Sequence, residues 1–225
     1  MPNFQLSLFQ KQILSFFAKN DFGQSFYWTG GTLLAYFFNH RLSFDLDFFS
    51  DDLFSDDEYL NFTNSLKKEI EISKITLNLQ KNRRLYLIET PKENLKLELV
   101  FFPFPSISER KTIPEFNIKA DSIEDIMVNK ILSAYQRNEP KDIFDLYCYL
   151  TKNPKLNFQE LAALVDKKFG ITIEQTLLIA KINELAENLA LIQPFLFSPP
   201  KDMAKTVKNF FQEIFNNLVE QKIKY

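Results

Sequence analysis

The sequence predicts an α/β (α+β) protein in which a sheet with flanking helices comes first and a helical bundle follows. Three observations predict this layout. Strand-like runs and helical periodicity alternate up to about residue 105. Pro103 and Pro105 then interrupt the pattern. From residue 122 onward nearly every segment has the apolar spacing of a helix. We therefore expect two domains, residues 1–105 and 106–225.

The elements of the first half follow from periodicity and from turn residues. Apolar residues at helical spacing, such as Phe9 and Ile13, predict helices over residues 4–19, 31–38 and 56–70. Alternating or continuous apolar runs predict strands over residues 25–29, 43–49, 73–80, 84–90 and 94–101. Residues 102–119 are expected to form a loop or a ragged sheet edge.

The second half is predicted to be helical throughout. The helix that begins near residue 122 is followed by one that starts with Pro140 at a favourable first helical position. Periodicity then predicts further helices over residues 158–168, 173–190 and 201–222.

Composition excludes several classes of protein. The formal net charge of −2 argues against a broad nucleic-acid-binding surface, so any RNA contact must use a local patch. The single cysteine, Cys148, excludes an internal disulfide and a cysteine metal cluster. No apolar run reaches the ~18 residues of a membrane span, and the N-terminus lacks a signal-peptide pattern. We expect a cytoplasmic protein with no membrane association.

Half of the four glycines form one dipeptide, Gly30-Gly31. The dipeptide follows a predicted strand and lies at the start of the helix predicted over residues 31–38, in which Thr32 comes next. Glycine at such a turn permits close approach of another group to the backbone. The N–H groups at the start of the helix are suited to binding a phosphate. This turn is therefore a candidate triphosphate site.

Two aspartates follow the glycine turn, one residue apart. In an alternating strand, Asp45 and Asp47 project from the same face. Carboxylates of this kind suit Mg²⁺, which takes one or two carboxylates together with substrate phosphates. Glu98, between Leu97 and Leu99, is the candidate third ligand, because a charge in a strand otherwise bound for the core needs a function. Lys96 shares its face and could balance its charge.

Each of these features has a simpler interpretation. An Asp-x-Asp pair alone is common, and Gly-Gly alone marks a turn. The order of the features favours a site, because Arg41 and Ser43 lie between the turn and the aspartates. The lone histidine, His40, is expected to be a turn or packing residue.

Lys130 lies inside the apolar stripe of its predicted helix, beside Ile126, Met127 and Ile131. A lysine in this position either extends to the rim of the core or faces an anion in a cleft. Asp142 lies twelve residues later and shares a helical face with Asp145. If Lys130 contacts a nucleotide, Lys130→Ala should lower nucleotide affinity or rate without lowering thermal stability.

Two separated segments resemble the AbiEii-type nucleotidyltransferases. The first is Thr29-Gly30-Gly31-Thr32-Leu33-Leu34-Ala35 with His40-Arg41-Leu42-Ser43-Phe44-Asp45-Leu46-Asp47-Phe48-Phe49. The second runs from Ser122 through Lys130 and Arg137 to Lys141-Asp142-Ile143-Phe144-Asp145-Leu146-Tyr147. The segments span about two thirds of the chain and occur in the family's order. The family comprises toxins of abortive-infection and related toxin–antitoxin systems, within the polymerase-β-like nucleotidyltransferase superfamily.

The resemblance implies a nucleotidyltransferase-like mixed sheet, followed by a helical domain that closes the nucleotide cleft. It implies Mg²⁺ (or Mn²⁺) at Asp45, Asp47 and Glu98, although the family more often has Asp at the third position. The implied nucleoside triphosphate contacts are Gly30, Gly31, Thr32, Arg41, Ser43 and Lys130, with Asp142 positioning Lys130 or the nucleotide.

The implied reaction transfers an NMP from an NTP to a tRNA 3′ end or a protein hydroxyl. A cognate antitoxin is the implied protein partner. Lys201, Lys205 and Lys208 form either an RNA-facing patch or a solvated surface. The alternative to an enzyme is a non-catalytic protein that binds a nucleotide or an antitoxin. Retention of both Asp45 and Asp47 argues against that alternative.

Overall fold

The computed structural model describes residues 4–154 and 156–223. The chain divides into two compact units, one ending at Ser122 and the other beginning at Ile123. The sequence places the boundary earlier, near residue 105, because the two prolines there interrupt the strand pattern. The segment between these two boundaries contains two short strands that belong to the sheet of the first unit.

The first unit combines four helices with seven strands among its described residues. The helices are α1 Leu8–Lys19, α2 Asp21–Gln24, α3 Gly30–Phe38 and α4 Asp56–Glu69. The strands are β1 Tyr27–Thr29, β2 Leu46–Ser50, β3 Lys74–Gln80, β4 Arg83–Glu89, β5 Asn94–Phe101, β6 Lys111–Ile113 and β7 Ile118–Ala120.

The strands form one mixed sheet in the order β3-β4-β5-β2-β1-β7-β6. Strand β2 pairs with β5 and β1 pairs with β7 in parallel, whereas the other four pairings are antiparallel. The predicted α/β (α+β) class with a mixed sheet is therefore confirmed. Strands β6 and β7 were not predicted, because each has only three residues and Pro114 and Asn117 lie between them.

One face of the sheet is covered by helices α1 and α4. Phe17 of α1 stacks on Phe48 of β2 with ring centroids 3.7 Å apart, and Phe62 of α4 contacts Phe17 at 5.0 Å. The hydroxyls of Thr63 and Tyr86 meet at 3.1 Å within this layer. Because side chains alternate along a strand, residues next to these core positions project from the opposite face.

Local sequence signals explain where the two covering helices begin. Ser7 precedes α1 and Ser55 precedes α4, and each serine forms a capping box with a residue three positions later, Gln10 or Glu58. These reciprocal hydrogen bonds satisfy backbone N–H groups that a helix start leaves without partners.

The second unit is helical throughout its described part. Its elements are α5 Ile123–Gln136, α6 Pro140–Lys152, α7 Phe158–Phe169, α8 Gln175–Glu187, a 3₁₀ segment Asn188–Phe195 and α9 Met203–Ile223. The predicted single helix over residues 173–190 ends earlier and continues as the 3₁₀ segment, in which Pro194 lies. The core of this unit contains Ile131, Ile143, Val165, Leu185 and Val207, all fully buried. No helix in the described ranges has the length and apolarity that crossing a membrane would require.

Candidate functional site

The glycine dipeptide lies at the start of helix α3, directly after strand β1. Gly30 has a φ of 81°, a left-handed conformation that side chains disfavour. A Cβ at this position would overlap the Asp47 carboxylate and would lie 2.9 Å from its Cγ. A Cβ at Gly31 would overlap the Arg41 guanidinium. Both glycines are therefore needed so that an acidic and a basic side chain can pack against the start of the helix.

Gly30→Ala should destabilise the protein by more than the ~1–2 kcal/mol that a left-handed backbone costs an ordinary residue. The additional loss comes from the overlap with Asp47. Gly170→Ala is the matched control, because Gly170 has a φ of 64° and no atom lies within 4 Å of its Cβ position. Urea denaturation of the two variants measures the difference. Equal losses of stability in the two variants would show that the overlap with Asp47 adds nothing to the cost of Gly30→Ala.

The segment between α3 and β2 is held in place by buried polar side chains. The Thr32 hydroxyl donates to the carbonyl oxygen of Asp45 and lies 2.8 Å from the Ser43 hydroxyl. From helix α1, Gln10 donates to the carbonyl oxygens of Ser43 and Phe44 at 3.3 and 3.2 Å. Thr32 and Ser43, predicted as nucleotide contacts, thus fix the backbone that carries Asp45.

The strand predicted over residues 43–49 begins only at Leu46. Phe44 is 57% exposed instead of lying on the apolar face, so the predicted alternation starts after it. Asp45 precedes the strand, whereas Asp47 lies within it and opposite Thr29 of β1. The two carboxylates consequently come from a loop and a strand, and not from one continuous strand.

Glu98 lies beside Asp47 in the sheet. Strands β2 and β5 run in parallel and their register pairs Asp47 with Glu98, so both side chains project from the face opposite the helix-covered core. Glu98 is only 7% exposed. Its carboxylate contacts two cations: Lys96 Nζ at 2.5 Å and Arg83 Nε at 3.3 Å.

Lys96 connects two of the three acids predicted to bind metal. Its Nζ also lies 3.8 Å from Asp45 Oδ2. Partial burial lowers the pKa of the Lys96 amine, but the hydrogen bond and charge of Glu98 oppose this effect. The charges of Asp45 and Asp47 act in the same direction, and the net result is a raised pKa. The structure therefore brings Asp45, Asp47 and Glu98 near one ammonium group.

The carboxylate cluster offers Mg²⁺ a small number of protein oxygen ligands. Within residues 4–154 and 156–223, no three acidic, histidine or cysteine side chains are grouped closely enough to form a complete metal site. Mg²⁺ commonly takes only one or two protein carboxylates and completes its octahedron with waters and substrate phosphates. Asp45, whose side chain is 37% exposed, and Asp47 fit that requirement.

A second polar network supports the glycine turn. Buried Asp121, directly after β7, accepts a hydrogen bond from the Thr29 hydroxyl at 3.0 Å. Arg110 lies 3.9 Å from Asp121 and donates to Asp51 at 2.8 Å. Its guanidinium is 3.5 Å from the centre of the Tyr27 ring. The network ties β7 and the segment after β2 to the strand that precedes Gly30.

Lys130 and Asp142 belong to the helical unit and form a buried ion-pair cluster there. Lys130 Nζ lies 2.7 Å from Asp142 Oδ1 and 2.8 Å from Asp145 Oδ2. Arg137 donates two hydrogen bonds to Asp142, at 2.8 and 3.1 Å. The predicted contact of Asp142 with Lys130 is present, and the Lys130 side chain, 8% exposed, does not extend to solvent.

The ion pairs change what is expected of Lys130→Ala. A lysine that faces a nucleotide predicts a variant of unaltered thermal stability, but the ammonium is a partner of two buried carboxylates. Removing one partner of a buried ion pair is strongly destabilising, because the remaining charge is left without compensation. The ion pairs therefore replace the expectation of unaltered stability by one of lowered stability, whereas a contact with a nucleotide stays a prediction.

The stability that the Asp142 carboxylate contributes should depend on pH. Burial raises the pKa of Asp142, but Lys130 and Arg137 lower it by more, so the pKa lies below its ordinary value of 3.8. A lowered pKa in the folded state means that this contribution is full above pH 3.8 and is lost as the pH falls further. The difference in unfolding free energy between wild type and Asp142→Asn should therefore shrink from pH 7 to pH 3. A pH-independent difference in urea denaturation would contradict this.

Sequence reasoning did not identify Arg83, Arg110 or Asp121. Arg83 reaches Glu98 through the antiparallel pairing of β4 with β5, in which Arg83 lies opposite Val100. Arg110 and Asp121 flank strands β6 and β7, which were not predicted. No local pattern marks these residues, because each contact depends on the pairing of distant segments.

Comparison with known proteins connects this geometry to a family. The model of the family described as "Nucleotidyl transferase AbiEii toxin, Type IV TA system" matches residues 12–224. An uncharacterized protein of Aquifex aeolicus, aq_aa25, is 27% identical over 146 residues. The match covers 64% of this chain and 66% of that relative, so the chain spans slightly less than two thirds of its length.

Two crystal structures from Helicobacter pylori resemble the fold over nearly the full length of the chain. JHP933 has a TM-score of 0.57 at 20% identity, with 98% of this chain and 97% of JHP933 covered. A protein titled "putative nucleotidyltransferase" has a TM-score of 0.58 at 19% identity, with 96% and 99% covered. At these identities the two structures establish a common fold.

Proposed function

Because the chain belongs to the AbiEii nucleotidyl transferase toxin family, we propose that it transfers an NMP from a nucleoside triphosphate to an acceptor hydroxyl. The observation that carries this proposal is the packing of the Asp47 carboxylate against the glycine turn at the start of α3. A phosphate-binding backbone and a metal-binding carboxylate are thereby adjacent, as nucleotidyl transfer requires.

The glycine turn is proposed to hold the triphosphate. The first N–H groups of α3 have no partners within the helix and carry the positive end of its dipole. Arg41, which packs against Gly31, adds a positive charge beside these groups. Thr32 and Ser43 act on the site indirectly, since their hydroxyls fix the segment that carries Asp45.

Asp45 and Asp47 are proposed to hold Mg²⁺ or Mn²⁺, with Glu98 as the candidate third ligand. The bound ion would neutralise charge on the transferred phosphoryl group and on the leaving pyrophosphate. In the reaction, the acceptor oxygen bonds to the α-phosphorus and gives its proton to water. The bond between the α-phosphorus and the bridging oxygen breaks, and pyrophosphate leaves with the electron pair.

Nucleotide contacts by Lys130 and Asp142 are proposed on the family resemblance alone. Within the helical unit, Asp142 holds the Lys130 ammonium, and Asp145 contacts it on a second oxygen. Such a contact would place the phosphate beside an ammonium that these two carboxylates already hold in position.

The acceptor is proposed to be the 3′ end of tRNA, with a protein hydroxyl as the alternative. Lys201 and Lys205 near the start of α9 are exposed and could contact RNA phosphates, whereas Lys208 contacts Glu187. The type IV toxin–antitoxin description of the family indicates a cognate antitoxin as the functional partner.

Incubation of the purified protein with each α-labelled NTP, Mg²⁺ and either total tRNA or total cell protein tests this proposal. We expect label in the RNA fraction with one preferred nucleotide, and no label when EDTA replaces Mg²⁺. Label in the protein fraction would keep the reaction and change the acceptor. Failure of all four nucleotides with both acceptors would contradict the proposal.

A further inference from the structure

The ammonium of Lys96 lies among the carboxylates proposed to bind the metal. It is 2.5 Å from Glu98 and 3.8 Å from Asp45, and Glu98 is the register neighbour of Asp47. Asp45 and Glu98, which share this ammonium, would repel each other without a cation between them. Lys96 supplies that cation, so it competes directly with any divalent ion that binds the same oxygens.

We propose that Lys96 is a resident counter-ion of the carboxylate cluster that moves to the phosphates of the nucleotide when a divalent cation binds. The inference rests on the proposed nucleotidyltransferase function and assigns Lys96 a role in it. As a consequence, metal binding and nucleotide binding strengthen each other. The metal displaces the Lys96 ammonium from the carboxylates, and the phosphates of the nucleotide accept it.

The contacts of Lys96 allow it to leave the cluster. Its side chain is 37% exposed, so the ammonium can reach solvent without unfolding the sheet. Its flexible four-carbon stem carries a compact charge that can change partners. Glu98 would keep its second cation, Arg83, at 3.3 Å. The departure of Lys96 therefore leaves no buried carboxylate without a partner.

The position of Lys96 also makes the phosphates its natural second partner. Asp47 packs on Gly30 at the start of α3, and the next strand places Glu98 and Lys96 on the same sheet face. A triphosphate on the glycine turn would carry several negative charges beside that face. An ammonium repelled by a divalent cation at Asp45 and Asp47 would be attracted to those charges.

Binding measurements without catalysis test the proposal. Free Mn²⁺ is titrated by electron paramagnetic resonance in the absence of nucleotide, and inorganic triphosphate is titrated calorimetrically at saturating Mn²⁺. Lys96→Met should bind Mn²⁺ about tenfold more tightly than wild type and inorganic triphosphate about tenfold more weakly, in the range of ordinary coupling between two sites. These opposite changes distinguish a relocating charge from a general loss of structure.

Two variants serve as controls. Lys96→Arg keeps the charge and should bind Mn²⁺ close to the wild-type affinity. Lys74→Met removes a lysine of the same sheet that pairs with Glu89 at 3.4 Å, and it should change neither titration.

The outcomes separate this inference from the function on which it rests. If wild type binds Mn²⁺, Asp47→Asn does not, and Lys96→Met matches wild type in both titrations, the role of Lys96 is overturned and the metal site stands. If wild type, Asp47→Asn and Lys96→Met are all unable to bind Mn²⁺, the proposed metal site is itself overturned, and the inference with it.

Discussion

Lys130→Met should lower the unfolding free energy by about 3–5 kcal/mol, the typical cost of removing one partner from a buried ion pair. The ammonium lies 2.7 Å from Asp142 and 2.8 Å from Asp145, and both carboxylates have side chains with 0% exposure. Arg137 continues to hold Asp142 through two hydrogen bonds, which limits the loss. Chemical denaturation followed by circular dichroism measures the change.

Lys181→Met provides the control for this prediction. Lys181 belongs to the same helical unit and pairs with Glu184 at 3.0 Å, but its side chain is 33% exposed. An exposed pair of this kind contributes at most about 1 kcal/mol. Lys130→Arg keeps the charge and should recover part of the lost stability. A Lys130→Met protein as stable as Lys181→Met would show that the buried cluster does not stabilise the fold.

Asp47→Asn should reduce nucleotidyl transfer by at least about a hundredfold, because a bound metal contributes several kcal/mol of charge stabilisation in the transition state. Asparagine keeps the shape of the side chain that packs against Gly30 and removes its charge. The fold should therefore be retained, as judged by circular dichroism. The measurement is the initial rate of incorporation of α-labelled nucleotide at saturating Mg²⁺.

Asp57→Asn is the matched control for the loss of one negative charge in the same unit. Asp57 is an exposed residue in the first turn of α4 and lies on no strand of the sheet. Its substitution should leave the rate unchanged and cost a few tenths of a kcal/mol through the helix dipole. A normal rate in Asp47→Asn would remove the central carboxylate from the proposed mechanism.

The sequence predicts the elements whose signals are local. The start of α3 follows from Gly30-Gly31, and α6 begins at Pro140 as expected. Strand β5 has its predicted bounds because polar and apolar residues alternate from Asn94 to Leu99 and the apolar run continues to Phe101. Helix α2, with four residues, and the three-residue strands β6 and β7 are too short to show a period.

The candidate site could be predicted only as a list of residues. Local spacing selects Asp45, Asp47 and Glu98, but their proximity depends on the parallel register of β2 and β5. That register is set by packing across the whole sheet, which no window of the sequence contains. The contact of Arg83 with Glu98 and that of Lys130 with Asp145 are specified by pairing and burial in the same way.

Transfer of the α-phosphate together with release of pyrophosphate is the central claim, and a comparison of two labels tests it most directly. The purified protein is incubated with Mg²⁺, total tRNA and the preferred NTP, labelled at either the α- or the γ-phosphorus. We predict that α-label enters the acceptor and that γ-label appears only as pyrophosphate, in equal amounts. Incorporation of γ-label into the acceptor would show phosphoryl transfer instead and would contradict the proposed function.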